Sequence, residues 1–168
     1  MIKFKIMEIF KEGSNIIFKI NNLNFVFDPP HIREKEGYVY ILTDFSRNKN
    51  IDRIFNFPGE YNVDNVFIYA FKDDKFISFL FKFEENWLYY LKSFPSEETL
   101  KKIKNLTKEV DIIFLGEKLA IEKIINHFHP KVIISLFDLN LPKFQKNKVS
   151  KFKINNIKRS ENQLLIIQ

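Results

Sequence analysis

Two carboxylates and a histidine stand where the sequence predicts strand ends, and such side chains could bind a metal. Asp28 precedes Pro29-Pro30, which ends a predicted strand because proline cannot continue ladder pairing. His31 follows the prolines, and Asp44 lies in the polar loop after the next predicted strand. If these three side chains converged, they could form the site of a metal-dependent hydrolase. The alternative reading of Asp28 is a turn former, since Asp before Pro is common in turns.

The remaining histidines, His127 and His129, are spaced as an H-x-H pair. On a strand both rings would point to one side, but the pair lies at the end of a predicted helix, where positions two apart diverge. We expect helix capping and surface exposure there rather than metal binding. The chain has no cysteine, so disulfides and thiolate ligands are excluded, and its four glycines do not cluster into a phosphate loop.

Positive charge is concentrated in one segment near the C-terminus. Residues 143–159 contain seven basic side chains and no acidic one, whereas the remainder carries 20 basic against 21 acidic residues. Phe144 and Phe152 alternate with lysines, so the segment could bind nucleic acid by phosphate contacts and base stacking. The candidate phosphate-binding residues are Lys146, Lys148, Lys151 and Lys153. The alternative is a solvated strand face in a lysine-rich composition.

The order of predicted elements indicates an α/β chain with one core, for which 168 residues suffice. Short strands come first, and strand-helix alternation follows, which implies a parallel portion of sheet. The predicted strands span 4–10, 15–20, 23–27, 38–42, 60–63, 66–71, 76–83, 87–91, 111–116, 131–137 and 164–167. A short helical turn is predicted at 51–54, a helix capped by Ser96 after Pro95, and a second helix at 117–128.

Five segments in this order resemble the metallo-β-lactamase-fold hydrolases. Residues 24–29 resemble the "ilvDP" strand end of that superfamily, and 57–66, Phe-Pro-Gly-Glu-Tyr-Asn-Val-Asp-Asn-Val, resemble the "GPGEYEVkGV" phrase of one branch. That branch contains small zinc-dependent hydrolases related to ascorbate-phosphate lactonases. Residues 96–100, 110–113 and 129–134 are similar to its "teeqLeel", "vDvllvp" and "PkivIPmHy" segments. The resemblance implies a single αββα sandwich domain over residues 1–168.

The same resemblance implies that the zinc ligands are missing. The family's T-H-x-H-x-D-H loop corresponds here to a loop with four other side chains, Asp44, Ser46, Asn48 and Lys49. Ser93 matches the bridging Asp of the "HLGDLG" segment, and Phe137 matches the last His. Only Asp28 survives near the expected site, and one carboxylate cannot hold a catalytic zinc. We therefore expect no bound cofactor, although zinc is expected for the family.

These observations favour a catalytically inactive domain with a binding or scaffolding role, which pairs with itself or with an active homologue. The alternatives are a hydrolase with a relocated site at Asp28, His31 and Asp44, or a nucleic-acid-associated protein that uses the basic segment. The start of the chain lacks the apolar run of a signal peptide, and no apolar stretch approaches the length of a membrane span. The sequence therefore predicts a cytoplasmic protein without membrane contact.

Overall fold

The computed structural model describes residues 7–46, 53–154 and 161–168. Asn48 and Lys49 lie outside these ranges, as do positions 4–6 of the first predicted strand. The described strands are β1 (Met7–Glu12), β2 (Asn15–Ile20), β3 (Leu23–Phe27), β4 (Tyr38–Ile41), β5 (Ile54–Phe55), β6 (Gly59–Val63), β7 (Val66–Lys72), β8 (Ile77–Phe83), β9 (Asn86–Leu91), β10 (Ile112–Leu115), β11 (Val132–Ser135), β12 (Gln145–Val149), β13 (Lys151–Ile154) and β14 (Gln163–Ile167). The described helices are α1 (Glu97–Leu106) and α2 (Ile121–Phe128).

The strands form two sheets that pack face to face. The smaller sheet has six strands in the order β13-β1-β2-β3-β4-β5, and the larger has eight in the order β12-β14-β11-β10-β9-β8-β7-β6. Alternate side chains of each strand point between the sheets because the side-chain period of a strand is two residues. Phe25 and Phe27 of β3 meet Phe81 of β8 there, with ring centroids 5.6 and 5.7 Å apart. The aromatic run around β8 therefore forms core.

The larger sheet combines an antiparallel half with a parallel half. Strands β6 to β9 pair antiparallel, whereas β9, β10, β11 and β14 pair parallel in that spatial order. Helices α1 and α2 provide the crossovers between β9, β10 and β11, because parallel neighbours cannot be joined by a tight turn. The predicted parallel portion of the sheet is confirmed.

Both helices cover the outer face of the larger sheet. Ile103 of α1 and Ile124 and Phe128 of α2 are buried against that face. On the other side of the sandwich, the loop that follows β3 covers the smaller sheet, since Ile32 of this loop packs with Val26. Within the described ranges, neither helix is long and apolar enough to cross a membrane.

The ends of three elements test the sequence predictions. Ser96 caps α1 as predicted, with its side chain accepting the Thr99 N–H. The second helix begins at Ile121 rather than 117, and its N-cap residue Ala120 makes no side-chain hydrogen bond. The predicted helical turn at 51–54 is wrong for Ile54, which pairs in a parallel ladder with β4 instead. Residues 51 and 52 lie outside the described ranges.

The basic segment crosses from one sheet to the other. Strand β12 pairs parallel with β14 at an edge of the larger sheet. After Ser150, β13 pairs antiparallel with β1 at an edge of the smaller sheet. Val149 and Phe152 point inward and pack against the shared core. This part of the chain therefore closes one side of the sandwich.

Candidate functional site

Four polar side chains from both sheets meet at one edge of the sandwich, and we call Asp28, Thr43, Tyr90 and Lys92 the Asp28 cluster. Asp28 follows β3 and Thr43 follows β4, and these strands are parallel neighbours, so their carboxyl ends lie together. Tyr90 is the second-last residue of β9, and Lys92 follows that strand directly. The cluster therefore connects the smaller sheet to the larger one.

Asp28 is the common acceptor of the cluster. Its Oδ1 accepts the Thr43 backbone N–H at 2.8 Å, and its Oδ2 accepts the hydroxyls of Thr43 at 2.9 Å and Tyr90 at 2.6 Å. The Lys92 Nζ lies 3.3 Å from Oδ2, and the Asp28 side chain is only 11% exposed. Both carboxylate oxygens are therefore engaged, and one of them faces a positive charge.

Tyr90 is the buried donor of the cluster, and it is 2% exposed. Burial raises the pKa of Tyr90 well above its ordinary value, and the negative charge of Asp28 adds to this effect. The phenol therefore stays protonated and donates to the carboxylate. Gly116 leaves room for it, since a Cβ at that position would lie 2.8 Å from the Tyr90 hydroxyl and 2.8 Å from the Lys92 Cγ.

The residues of the cluster do not fit a catalytic divalent metal. Such a metal needs several anionic or imidazole ligands with free lone pairs, whereas Asp28 already accepts three hydrogen bonds. Lys92 adds a positive charge where a metal would need a donor. Across the described residues, no group of three His, Asp or Glu side chains could hold a metal ion.

The other two residues of the candidate hydrolytic site, Asp44 and His31, have different surroundings. Asp44 Oδ1 accepts the backbone N–H and the hydroxyl of Ser46 at 2.9 and 2.7 Å, which is a local turn arrangement. His31 is exposed and, together with Tyr40, lines a depression of about 500 Å³ on the outer face of the smaller sheet. The structure gives neither residue a contact with Asp28.

The H-x-H pair lies at the end of α2, and its two members differ. His129 is the C-cap residue, with φ of 50° and its backbone N–H donated to the Ile125 carbonyl, so the expected capping is observed. His127 is half-buried, and its Nε2 atom is buried with no hydrogen-bond partner in the described structure. Burial lowers the pKa of His127, and the charges of Lys104 and His129 act in the same direction.

We expect His127→Gln to reduce the loss of stability that acidification causes. Below the unfolded-state pKa of 6.5, the unfolded chain binds a proton that native His127 resists, so the free energy of unfolding falls as pH falls. Urea unfolding at about pH 7.5 and about pH 5.5 measures this difference, which should be smaller in the variant. The exposed His31→Gln serves as control. An equal acid sensitivity in wild type and His127→Gln would contradict the prediction.

The four candidate phosphate-binding lysines divide into two pairs, Lys146 with Lys148 on β12 and Lys151 with Lys153 on β13. The first pair contacts Asp138, and the second contacts Glu8 at 2.9 and 3.6 Å. The register places the first pair opposite Leu164 and Ile166, on the helix-bearing face, and the second opposite Phe10 and Glu8, on the outer face of the smaller sheet. These four lysines therefore do not form one continuous basic strip.

Three members of the cluster were not identified from the sequence, although one signal pointed to Lys92. Lys92 is a charged residue directly after the apolar end of β9, at the same edge as Asp28. A charge in that position needs a partner, and the retained carboxylate was the obvious one. Tyr90 and Thr43 gave no such signal, because a tyrosine inside a strand and a threonine after one are ordinary features.

Comparisons with known proteins support the fold. No protein-family profile and no curated protein matches the sequence. Among solved structures, a protein described as a Zn-dependent hydrolase of the metallo-β-lactamase superfamily, from Thermotoga maritima, superposes with a TM-score of 0.71 at 16% identity. The superposition covers 96% of this chain and 98% of that one. At this identity the likeness establishes the fold alone.

Two further structures have the same architecture at 9% identity. The metallo-β-lactamase fold protein YhfI from Bacillus subtilis gives a TM-score of 0.54 over 98% of this chain and 97% of its own. CmlA, a diiron β-hydroxylase from Streptomyces venezuelae, gives 0.52 over 80% of this chain but only 45% of its own length. The predicted fold class is thereby confirmed.

Proposed function

We propose that this chain with the metallo-β-lactamase fold is a non-hydrolytic domain with a binding or scaffolding role. The observation that carries the proposal is the Asp28 cluster, in which the one carboxylate that survives near the expected metal site is bonded to protein donors and faces Lys92. Water activation by a metal requires several protein ligands and an open coordination position. The cluster supplies neither.

The same edge of the sandwich supports the binding role. Phe45 follows β4, Phe94 follows β9 and Leu136 follows β11, and these side chains are 39, 40 and 39% exposed. Exposed apolar side chains mark a protein contact site where they form one contiguous patch. The proposed partner is a second copy of the chain or an active homologue. Light scattering of wild type and Phe94→Ser tests the first case, since self-association through this edge should decrease in the variant.

We expect the purified, untagged protein to bind neither zinc nor manganese with useful affinity, because Lys92 opposes any cation beside Asp28. Plasma mass spectrometry should find well under one equivalent of metal, and the thermal midpoint should not move when either ion is added. Lactones and phosphodiesters should remain uncleaved when either ion is added. Stoichiometric zinc with micromolar affinity, or turnover that depends on added metal, would contradict the proposal.

A further inference from the structure

We infer that Asp28, Thr43 and Tyr90 form a binding site for a primary ammonium group, and that Lys92 is its built-in ligand. The inference concerns the site of the proposed function and rests on it in one respect, namely that no divalent cation occupies this place. It assigns Lys92 a role that the sequence comparison did not, since that comparison placed Ser93 at the metal-ligand position of the same segment.

The first support is charge compensation. The Asp28 side chain is 11% exposed and that of Lys92 is 21% exposed, so neither charge is well solvated. A carboxylate removed from water requires a compensating charge as well as hydrogen bonds. Thr43 and Tyr90 supply hydrogen bonds but carry no charge. Lys92 supplies the positive charge, at 3.3 Å from Oδ2.

The second support is the path of the lysine side chain. A Cβ on Gly116 would lie 2.8 Å from the Lys92 Cγ, so the aliphatic stem runs directly over the backbone of the residue after β10. The ammonium lies 6.0 Å from the centre of the Phe76 ring. Removal of the stem would therefore vacate the space between Gly116 and the Asp28 carboxylate that its atoms fill.

The third support is the position of the pair between the sheets. Asp28 belongs to the end of β3 in the smaller sheet, and Lys92 to the end of β9 in the larger. A positive charge held between these strand ends links the two sheets at this side of the sandwich. The chain thus carries its own cation near the place where zinc is expected for the family that it resembles.

Lys92→Ala tests the inference by chemical rescue. The substitution removes Cγ, Cδ, Cε and Nζ, which are the atoms of n-propylammonium. We expect the variant to lose about 5–10 °C in thermal midpoint, because a poorly solvated carboxylate loses its counter-charge. Millimolar n-propylammonium should recover part of that loss saturably and should leave wild type unchanged. Lys82→Ala is the matched control, since Lys82 lies over the Trp87 ring and contacts no carboxylate in the described structure.

Two other probes separate ammonium recognition from simpler effects. Tetramethylammonium has the charge but no N–H group, and 1-propanol has the shape but no charge, so neither should restore the thermal midpoint. Equal recovery with 1-propanol, or better recovery with zinc than with the amine, would overturn the inference. Zinc binding by wild type would instead contradict the proposed function, so the two failures are distinguishable.

A double variant covers the case in which Lys92→Ala does not fold. If Lys92 serves as the counter-charge of Asp28, the pair Asp28→Asn with Lys92→Met should be more stable than Lys92→Met alone, because no uncompensated charge remains. Urea denaturation of the two proteins and of Asp28→Asn measures the coupling. Additive effects of the two substitutions would overturn the inference even without the rescue experiment.

Discussion

Asp28→Ala is expected to lower the free energy of unfolding by about 3–5 kcal/mol, as is typical when one partner of a poorly solvated ion pair is removed. The substitution leaves the Lys92 ammonium without its carboxylate and the Tyr90 hydroxyl without its acceptor. Tyr90 is 2% exposed, so water does not readily replace the lost acceptor. If Asp28 were only a remnant of a former metal site, its removal would not lower the free energy of unfolding in this way.

The measurement is urea denaturation followed by tyrosine and tryptophan fluorescence, with Asp138→Ala as the matched control. Asp138 resembles Asp28 in that it contacts lysine, in this case two lysines, but its side chain is 61% exposed. Its removal should therefore leave the transition midpoint nearly unchanged. Asp28→Asn should fall between wild type and Asp28→Ala, because the amide oxygen still accepts from Tyr90 or Thr43. Equal stability of Asp28→Ala and Asp138→Ala would contradict the structural role of the cluster.

Gly116→Ala is expected to lower the free energy of unfolding by about 1–3 kcal/mol, the range of overpacking in a well-packed site. The added Cβ would lie 2.8 Å from the Tyr90 hydroxyl and 2.8 Å from the Lys92 Cγ, and real Cβ atoms do not tolerate such distances. Tyr90 cannot simply retreat, because its ring packs against Phe27 and Phe114 with centroids 4.7 and 4.8 Å away. The substitution should therefore displace the hydroxyl from Asp28.

Two variants isolate this steric effect. Gly13 has φ of 61° and no atom within 4 Å of an added Cβ, so Gly13→Ala reports backbone strain without a clash, about 1 kcal/mol. In a Tyr90→Phe background the shortest aromatic contact disappears, so Gly116→Ala should cost less there than in wild type. An unchanged cost in that background would show that the Tyr90 hydroxyl is not the obstacle, and Lys92 would then be the side chain that moves.

The sequence by itself determined most of the elements and their order, although it did not predict β5, β12 and β13 as strands. Alternation with a period of two placed most strands within a residue or two, and the i, i+3, i+4 pattern of Ile121, Ile124 and Ile125 identified the second helix, since both periodicities are local properties of the chain. The β-α-β-α-β order fixed the parallel half of the larger sheet. Five short segments in order were enough to indicate the metallo-β-lactamase fold, which the superpositions confirm.

Only the tertiary structure decided what became of the candidate site. Tyr90 and Asp28 are 62 residues apart in the chain, and their hydrogen bond depends on how two separate sheets pack, which no local pattern encodes. The split of the basic segment between Asp138 and Glu8 has the same origin, because strand pairing at two different sheet edges sets it. The resemblance read from the sequence implies that the zinc ligands are missing. The structure shows that the Lys92 ammonium lies beside the Asp28 carboxylate. The packing of the two sheets decides this pairing, because the two residues are far apart in the chain.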